Sequence, residues 1–238
     1  MIKKEYALGV LMLVSGLGFA SFAQAAPVAK SQSLNPGVTM SQLENRQPIH
    51  WVSVAQIAES LKGKPAMNVG FDIDDTLLSS SPGFYRGKQE FSPHSLAYLK
   101  NPKFWQKMNN GWDKFSIPKK SAIKLINMHL KRGDHIYFIT GRPATKTEDV
   151  TAILQRDFHI PKADMNKVIF AGPKHGSKTP YIKKLKIKLY YGDSDGDIVD
   201  ARKAGAEGIR VLRSLNSTNR PMPHNGSLGE KVLVNSNY

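Results

Sequence analysis

Residues 67–76 have the sequence MNVGFDIDDT, and this stretch decides the fold. An apolar run of this length that ends in charged residues is typical of a short buried strand. The alternation of side chains along a strand then places Asp72 and Asp74 on the same side, at the strand's carboxyl end. Two carboxylates at this spacing repel each other unless a cation or a shared proton relieves them. The stretch therefore predicts a buried strand that carries a reactive carboxylate pair.

Apolar runs and helical patterns alternate beyond this strand. Further strands are predicted at 136–139, 168–170, 187–191 and 208–212, and helices at 53–61, 118–131, 146–156, 178–185 and 198–204. Strands that alternate with helices of these lengths indicate a parallel sheet. The predicted fold class is therefore α/β, a Rossmann-like parallel sheet with helices on both faces. In such sheets, ligands bind at the carboxyl ends of the strands.

The segment 79–117 interrupts the alternation and is rich in proline, glycine and aromatic residues. Ser92-Pro93 and Asn101-Pro102 each combine a favourable N-cap residue with proline at the first helical position. These pairs predict two short helices, which would form a small helical cap inserted after the first strand. The aromatic side chains are expected to form the core of this cap, with one or two available to line a hydrophobic specificity pocket.

The first 50 residues differ in character from the rest. Lys3 and Lys4 precede the apolar run 7–23, and Ala23-Gln24-Ala25 has the small-x-small pattern of a processing site. This order predicts a secretory signal peptide over residues 1–25, cleaved after Ala25; an uncleaved membrane anchor is the alternative. Residues 26–50 are expected to form an extended arm, which leaves 51–238 as the folded domain.

Composition limits the chemistry. The chain has no cysteine, which excludes disulfides, cysteine catalysis and thiolate metal sites. Its formal net charge is +15, and it is +14 without the predicted signal peptide, which carries two lysines and one glutamate. Such a surplus suits nucleic acid, an anionic membrane or small anionic substrates, and charge alone does not choose among them.

Two further polar clusters follow predicted strands. Thr140-Gly141-Arg142 offers a hydroxyl and a backbone N–H at a strand-to-helix turn, where a phosphate group can bind. Residues 192–197, GDSDGD, resemble the start of a calcium loop, but the acidic residue required at position 12 is replaced by Ala204. Asp193 is therefore better explained as an oxygen ligand for Mg²⁺ at a strand end.

A basic loop, KHGSKT at residues 174–179, lies between these two clusters. A lysine in this loop could neutralise a transferred phosphoryl group, although lone lysines on loops are usually only solvated. Lys178 is the preferred candidate and Lys174 is the alternative.

These motifs together resemble the haloacid dehalogenase superfamily. Asp72 and Asp74, Thr140, Lys178, and Asp193 with Asp197 appear in the order of its four motifs. GFDIDDT at 70–76, SSPGF at 80–84, FW at 104–105, NNGWD at 109–113, TGR at 140–142, YGDSD at 191–195 and VNS at 234–236 look more specifically like the bacterial class B acid phosphatases. The resemblance extends over essentially the whole mature chain.

The resemblance implies a nonspecific periplasmic phosphohydrolase that acts on phosphomonoesters, including nucleotides, with Asp72 as nucleophile and Asp74 as general acid and base. It implies one Mg²⁺ per subunit, bound by Asp72, the Asp74 backbone carbonyl and Asp193, with Asp197 in the second shell. Thr140, Gly141 and Lys178 would bind the phosphate group. It also implies phosphotransfer to alcohols and a homotetramer, without a specific nucleic acid or membrane partner.

Two other functions compete with this hypothesis. A dehalogenase of the same superfamily requires neither an aspartate at position 74 nor the metal-binding acids. A noncatalytic nucleotide or nucleic-acid binding protein would explain the positive charge, but it does not predict Asp74, Asp193 or Asp197. The acids therefore favour a phosphatase.

Overall fold

A seven-stranded parallel sheet lies at the centre of the computed structural model, which describes residues 49–238. The predicted signal peptide and all but the last two residues of the predicted arm lie outside the described residues. The sheet contains β1 (His50–Val52), β2 (Asn68–Phe71), β5 (His135–Thr140), β6 (Ile169–Phe170), β7 (Leu189–Gly192), β8 (Glu207–Arg210) and β9 (Lys231–Leu233), in the order β1-β9-β8-β7-β2-β5-β6. A separate antiparallel pair is formed by β3 (Leu78–Ser79) and β4 (Ile117–Pro118).

The predicted α/β alternation is confirmed. The helices are α1 (Val54–Ser60), α2 (Ser81–Phe91), α3 (Pro102–Met108), α4 (Lys120–Arg132), α5 (Val150–Asp157), α6 (Thr179–Lys184) and α7 (Asp195–Lys203). Short 3-10 turns lie at Ala97–Lys100, Trp112–Phe115 and Lys162–Asp164. No described helix is long and apolar enough to cross a membrane.

The two faces of the sheet pack against different helices. Alternate residues such as Phe71 and Tyr191 join a core that includes side chains of α1, α4 and α5. Their strand neighbours, such as Tyr190, join a second core that includes side chains of α6 and α7. Burial on both faces explains why these strands read as continuous apolar runs rather than as alternating patterns.

Two helix ends have the capping residues that the sequence predicts. Ser53 and Gln56 form a complete capping box at the start of α1. Gly133 ends α4 in the left-handed conformation, with φ 76°. Strands β1 and β9 were not predicted, because each begins with a polar residue and contains only two apolar ones.

The cap between β3 and β4 differs from its prediction in one helix. Asn101 caps α3 with Pro102 at its first position, as predicted. The Ser92-Pro93 prediction is wrong: Ser92 ends α2, and the helix begins at Ser81 with Pro82 in its first turn. The cap has a largely aromatic core of its own, formed by Tyr98, Phe104, Trp105 and Trp112 together with Met108.

Candidate active site

Three adjacent strands of the sheet bring the predicted site residues together. β2 lies between β5 and β7 in parallel register, so the carboxyl ends of the three strands meet at one edge. Asp72 follows β2, Thr140 ends β5 and Asp193 follows β7. The topology therefore assembles at one place the motifs that are widely separated in the chain.

Asp72 is held in a fixed position and is almost completely buried. Its backbone N–H donates to the Tyr191 carbonyl at 2.9 Å, which continues the β2–β7 pairing by one residue. Its two carboxylate oxygens accept from Lys178 Nζ at 2.5 Å and from Thr76 Oγ1 at 3.1 Å. Burial raises the pKa of Asp72 well above its ordinary value, the Lys178 ammonium opposes the rise, and the neighbouring carboxylates add to it. A nearby cation therefore favours the ionised form of this carboxylate.

Lys178 lies at the centre of the acidic cluster. Its ammonium group donates to Asp72 Oδ1 at 2.5 Å and to Asp197 Oδ1 at 2.6 Å. Burial lowers the pKa of Lys178, but Asp197 and Asp72 outweigh it and hold the pKa well above its ordinary value. Lys178 is therefore a permanent cation beside Asp72, whereas Lys174 is an exposed residue of the pocket wall.

Asp72, Asp193 and Asp197 form a buried group that suits a metal ion. One carboxylate oxygen from each lies within 4.8 Å of the others. Asp193 is oriented by Arg213, whose Nε donates to Asp193 Oδ2 at 2.5 Å. A donor set made only of oxygens fits a hard cation such as Mg²⁺. The structure thus supports the prediction that carboxylates at this edge of the sheet are able to bind a metal ion.

Asp197 is placed by the start of α7. Its backbone N–H donates to Ser194 Oγ, and its carboxylate accepts in return from the Ser194 hydroxyl at 2.7 Å and from the Ser194 N–H at 3.1 Å. Gly192 allows this close approach, because a Cβ on Gly192 would lie 2.2 Å from the Asp197 Cβ. The glycine in the YGDSD motif is therefore required by packing.

Asp74 faces a partner that was not predicted. Arg142, which is 1% exposed, donates to Asp74 through Nη2 at 2.6 Å and through Nε at 2.8 Å. Burial raises the pKa of Asp74, but the charge and hydrogen bonds of Arg142 outweigh it and hold the pKa below its ordinary value. Arg142 thus favours the carboxylate form, which is the form that a general acid has after it donates its proton.

The loop that follows Asp74 is fixed by buried groups. Asp75 has a left-handed backbone, with φ 58°, and its carboxylate accepts from Ser217 Oγ at 2.7 Å. The buried Lys119 ammonium donates to the Asp75 carbonyl at 2.6 Å and to the Leu212 carbonyl at 2.8 Å. Burial lowers the pKa of Lys119 to about 8, and Asp193 and Asp75 limit the fall. Neither Lys119 nor Ser217 belongs to a recognisable motif, so this support was not predictable from sequence patterns.

The site opens into a pocket of about 400 Å³. Its lining includes Asp72, Asp74, Gly141, Lys178, Asp193 and Asp197. The cap contributes Phe84, Leu96, Tyr98, Leu99 and Trp105, and polar residues such as Thr218 and Asn219 also line the pocket. Thr140 is fully buried and is not among these lining residues; its Oγ1 accepts from the Arg142 N–H at 3.2 Å. The pocket therefore combines charged groups with apolar and aromatic side chains.

Comparison with known proteins assigns the family. The model of the haloacid dehalogenase superfamily subfamily IIIB, acid phosphatase, matches residues 23–221. A class B acid phosphatase of Edwardsiella ictaluri is 58% identical over 95% of this chain and 92% of its own. Another, from a Rahnella species, is 57% identical over the full length of both chains. The chain belongs to the class B acid phosphatases. It is therefore a phosphoric monoester hydrolase.

Solved structures agree on the fold of this acid phosphatase. A protein described as a predicted phosphatase from Clostridium acetobutylicum superposes with a TM-score of 0.51 at 15% identity, over 71% of this chain and 94% of its own. At this identity the likeness shows the fold alone. Phosphatases of this superfamily generally use a divalent metal, and the buried Asp72, Asp193 and Asp197 group is able to bind one.

Proposed function

We propose that this acid phosphatase hydrolyses phosphomonoesters, nucleotides among them, through a phosphoryl group carried on Asp72. The observation that carries the proposal is the position of Asp72, which lines the pocket with Lys178 Nζ 2.5 Å from its carboxylate. A carboxylate beside a fixed ammonium can attack phosphorus, because the ammonium, together with a bound metal cation, opposes the rise in the pKa of Asp72 that burial causes and offsets the charge of the incoming phosphate.

The metal proposed for this site is one Mg²⁺ per subunit, held by Asp72, Asp193 and the Asp74 backbone carbonyl. The oxygen-only donor set supports this choice. When bound, the ion supplies positive charge that favours an ionised Asp72 and a bound phosphate. Asp197 is proposed to act from the second shell, because its carboxylate is already shared between Lys178 and Ser194.

The phosphoryl oxygens are proposed to bind Thr140, Gly141 and Lys178. The Thr140 oxygen already accepts the Arg142 N–H, so the hydroxyl proton is left for a phosphate oxygen. Gly141 lines the pocket, and its backbone N–H is available at the turn after β5. Lys178 places a permanent positive charge where negative charge spreads in the transition state.

Asp74 is proposed to move the protons. It lines the pocket two residues from Asp72 and is 16% exposed at its side chain, whereas Asp72 is 7% exposed. Arg142 holds the pKa of Asp74 low, so the fraction of enzyme with a protonated Asp74 grows as the pH falls. In that fraction, as the P–O bond breaks, the Asp74 carboxyl gives its proton to the leaving alcohol. The resulting carboxylate, paired with Arg142, then takes a proton from the water that attacks the phosphoryl group on Asp72. An alcohol in place of that water gives phosphotransfer.

The aromatic side chains of the pocket support a substrate class. Phe84 and Trp105 line the same pocket as the acids, and an aromatic base or phenol could pack against them. We therefore propose a broad specificity in which aromatic esters, including nucleotides, bind better than small aliphatic ones.

The setting of the enzyme is also proposed rather than observed. The order of charged, apolar and small residues before Ala25 supports export to the periplasm. We also propose a homotetramer, as the resemblance to the bacterial class B acid phosphatases implies, and we propose that the positive charge of the chain attracts small phosphate esters rather than a specific nucleic acid or a membrane.

The test is hydrolysis of a chromogenic phosphomonoester by purified protein, with and without EDTA, beside the Asp72→Asn variant. The proposal expects turnover by the wild type, loss of turnover in EDTA with recovery on addition of Mg²⁺, and loss of turnover in the variant. An Asp72→Asn protein with wild-type turnover would refute the nucleophile. Salt-sensitive DNA binding without phosphatase activity would instead favour the binding-protein alternative.

A further inference from the structure

One guanidinium group joins the cap to the proton-transfer residue. Arg142 offers its Nε–Nη2 edge to Asp74, at 2.8 and 2.6 Å, and its Nη1–Nη2 edge to Asp113, at 2.5 and 3.0 Å. Asp113 belongs to the 3-10 turn Trp112–Phe115 of the cap and is 1% exposed. A planar fork that binds two carboxylates bidentately fixes the plane and the distance of both.

The cap fixes Arg142 from several directions. Asn109 Oδ1 accepts from Nη1 at 3.4 Å, and the Phe84 ring centre lies 5.9 Å from the guanidinium carbon. Asp113 is itself oriented by the Ser116 hydroxyl, which donates to Oδ1 at 2.9 Å. Asp113 is not among the residues that line the described pocket, so it reaches the substrate only through Arg142.

We propose that Asp113 is a positioning residue for general acid catalysis. The cap carboxylate fixes Arg142, and Arg142 in turn holds the Asp74 carboxyl in the orientation from which it protonates the leaving group. This inference rests on the proposed role of Asp74. In the step concerned, an Asp72 oxygen forms a bond to phosphorus, the P–O bond to the leaving group breaks, and its electron pair takes the proton of Asp74. Asp74 is left as the carboxylate that Arg142 binds with two hydrogen bonds.

A residue that positions the general acid Asp74 should affect kcat/KM differently for different leaving groups. An alkyl leaving group departs as an alkoxide unless it is protonated, so its cleavage depends strongly on a well-placed acid. A p-nitrophenolate is stable without a proton, so its cleavage hardly depends on the acid. The parameter kcat/KM reports only the steps up to loss of the leaving group, so the later role of Asp74 as a base does not enter.

The test compares kcat/KM for glycerol 2-phosphate and p-nitrophenyl phosphate in wild type and Asp113→Asn. Asparagine keeps the volume and one acceptor oxygen but loses the charge and the second acceptor. The expected result is a loss of about 10- to 100-fold for the alkyl ester, and less than about threefold for the aryl ester. An equal loss for both esters, or no loss for either, would overturn the positioning role.

Asn110→Ala is the matched control, because it lies in the same contact between cap and core. Asn110 exchanges hydrogen bonds with Thr147, at 2.9 Å through Nδ2 and 2.8 Å through Oδ1, whereas the Arg142 side chain donates to Asp74, Asn109 and Asp113. In this variant, kcat/KM should change by the same factor for both esters. A selective loss for the alkyl ester in Asn110→Ala would show that general cap docking is responsible, and it would overturn a specific role for Asp113.

Ser116→Ala keeps the test decisive if Asp113→Asn does not fold. This variant removes the hydroxyl that orients Asp113 and leaves both charges in place. A smaller loss that is again selective for the alkyl ester supports the proposal, and an equal or absent change overturns it. If the wild-type protein hydrolyses neither ester, the proposed function is refuted. The positioning role of Asp113 is judged separately, from how active variants differ between the two esters.

Discussion

Replacing Lys178 by methionine tests the centre of the site, because this one ammonium serves two buried carboxylates. Its Nζ lies 2.5 Å from Asp72 and 2.6 Å from Asp197, and the side chain is 10% exposed, so solvent screens these pairs little. Methionine has a similar length and no charge. The change therefore leaves Asp72 and Asp197 without their shared cation while nearly preserving the packing volume.

Two magnitudes follow for Lys178→Met. Removing one partner of a buried ion pair costs about 3–5 kcal/mol, because the remaining charge is buried without compensation. For a domain of this size such a loss lowers Tm by about 10 °C. Removing one fixed donor at the developing phosphoryl charge costs about 10²- to 10³-fold in turnover.

The assay pairs Lys178→Met with Lys174→Met, since both lysines line the same pocket. Thermal melting and kcat/KM for p-nitrophenyl phosphate are measured on both variants. Lys174 is exposed, so its replacement should change the free energy of unfolding by less than about 0.5 kcal/mol and cost little activity. A Lys178→Met protein with wild-type kcat/KM, or a larger loss in Lys174→Met, would refute the assignment of the phosphate-binding lysine.

Three further predictions concern the metal, a glycine and a buried histidine. Asp193→Asn should raise the Mg²⁺ concentration that restores half of the activity to EDTA-treated enzyme; an unchanged titration would exclude Asp193 as a ligand. Gly192→Ala should sharply lower kcat, because the new Cβ would lie 2.2 Å from the Asp197 Cβ and must displace that side chain; a fully active variant would contradict this packing. Burial lowers the pKa of His129, so the unfolded chain binds a proton more readily below about pH 6.5 and the folded state loses stability as the pH falls. The free energy of unfolding in urea, measured from pH 7 to pH 5, should fall less in His129→Asn than in the wild type. An equal fall in both proteins would contradict the claim that the lowered pKa of His129 causes the loss of stability.

The sequence was sufficient for the part of the site that lies on the sheet. Asp72, Thr140 and Asp193 each follow a short apolar run, and a parallel sheet necessarily brings such strand ends to one edge. The apolar runs were recognisable because the central strands are buried on both faces. The structure accordingly differs from the predicted strands by no more than two residues at either end of each strand.

The cap was harder to predict, because its geometry depends on contacts between distant segments. Asp113 and Arg142 are 29 residues apart, and no local pattern indicates that they meet. The pair Ser92-Pro93 was misleading for a related reason. A small polar residue followed by proline also suits the end of a helix, since proline cannot continue it, and here Ser92 ends α2.

The buried support for the loop after Asp74 was likewise hidden in the sequence. Lys119 looks like one of several lysines at the start of α4, yet it is 1% exposed and donates to carbonyl groups 44 and 93 residues away. Lys119 can bridge these two carbonyl groups only because the segments that follow β2 and β8 lie close together in the fold. Tertiary packing decides whether a lysine is buried, and composition and periodicity do not predict that packing.

The most direct test of the account is chemical trapping of the phosphoryl group on Asp72. Enzyme turning over p-nitrophenyl phosphate is quenched in acid, treated with borohydride, which reduces an acyl phosphate, and mapped by mass spectrometry. The account predicts that Asp72 is converted to homoserine in the wild type, only when substrate is present. Reduction at another carboxylate, or an unmodified Asp72 in enzyme shown to be turning over at the quench, would contradict it.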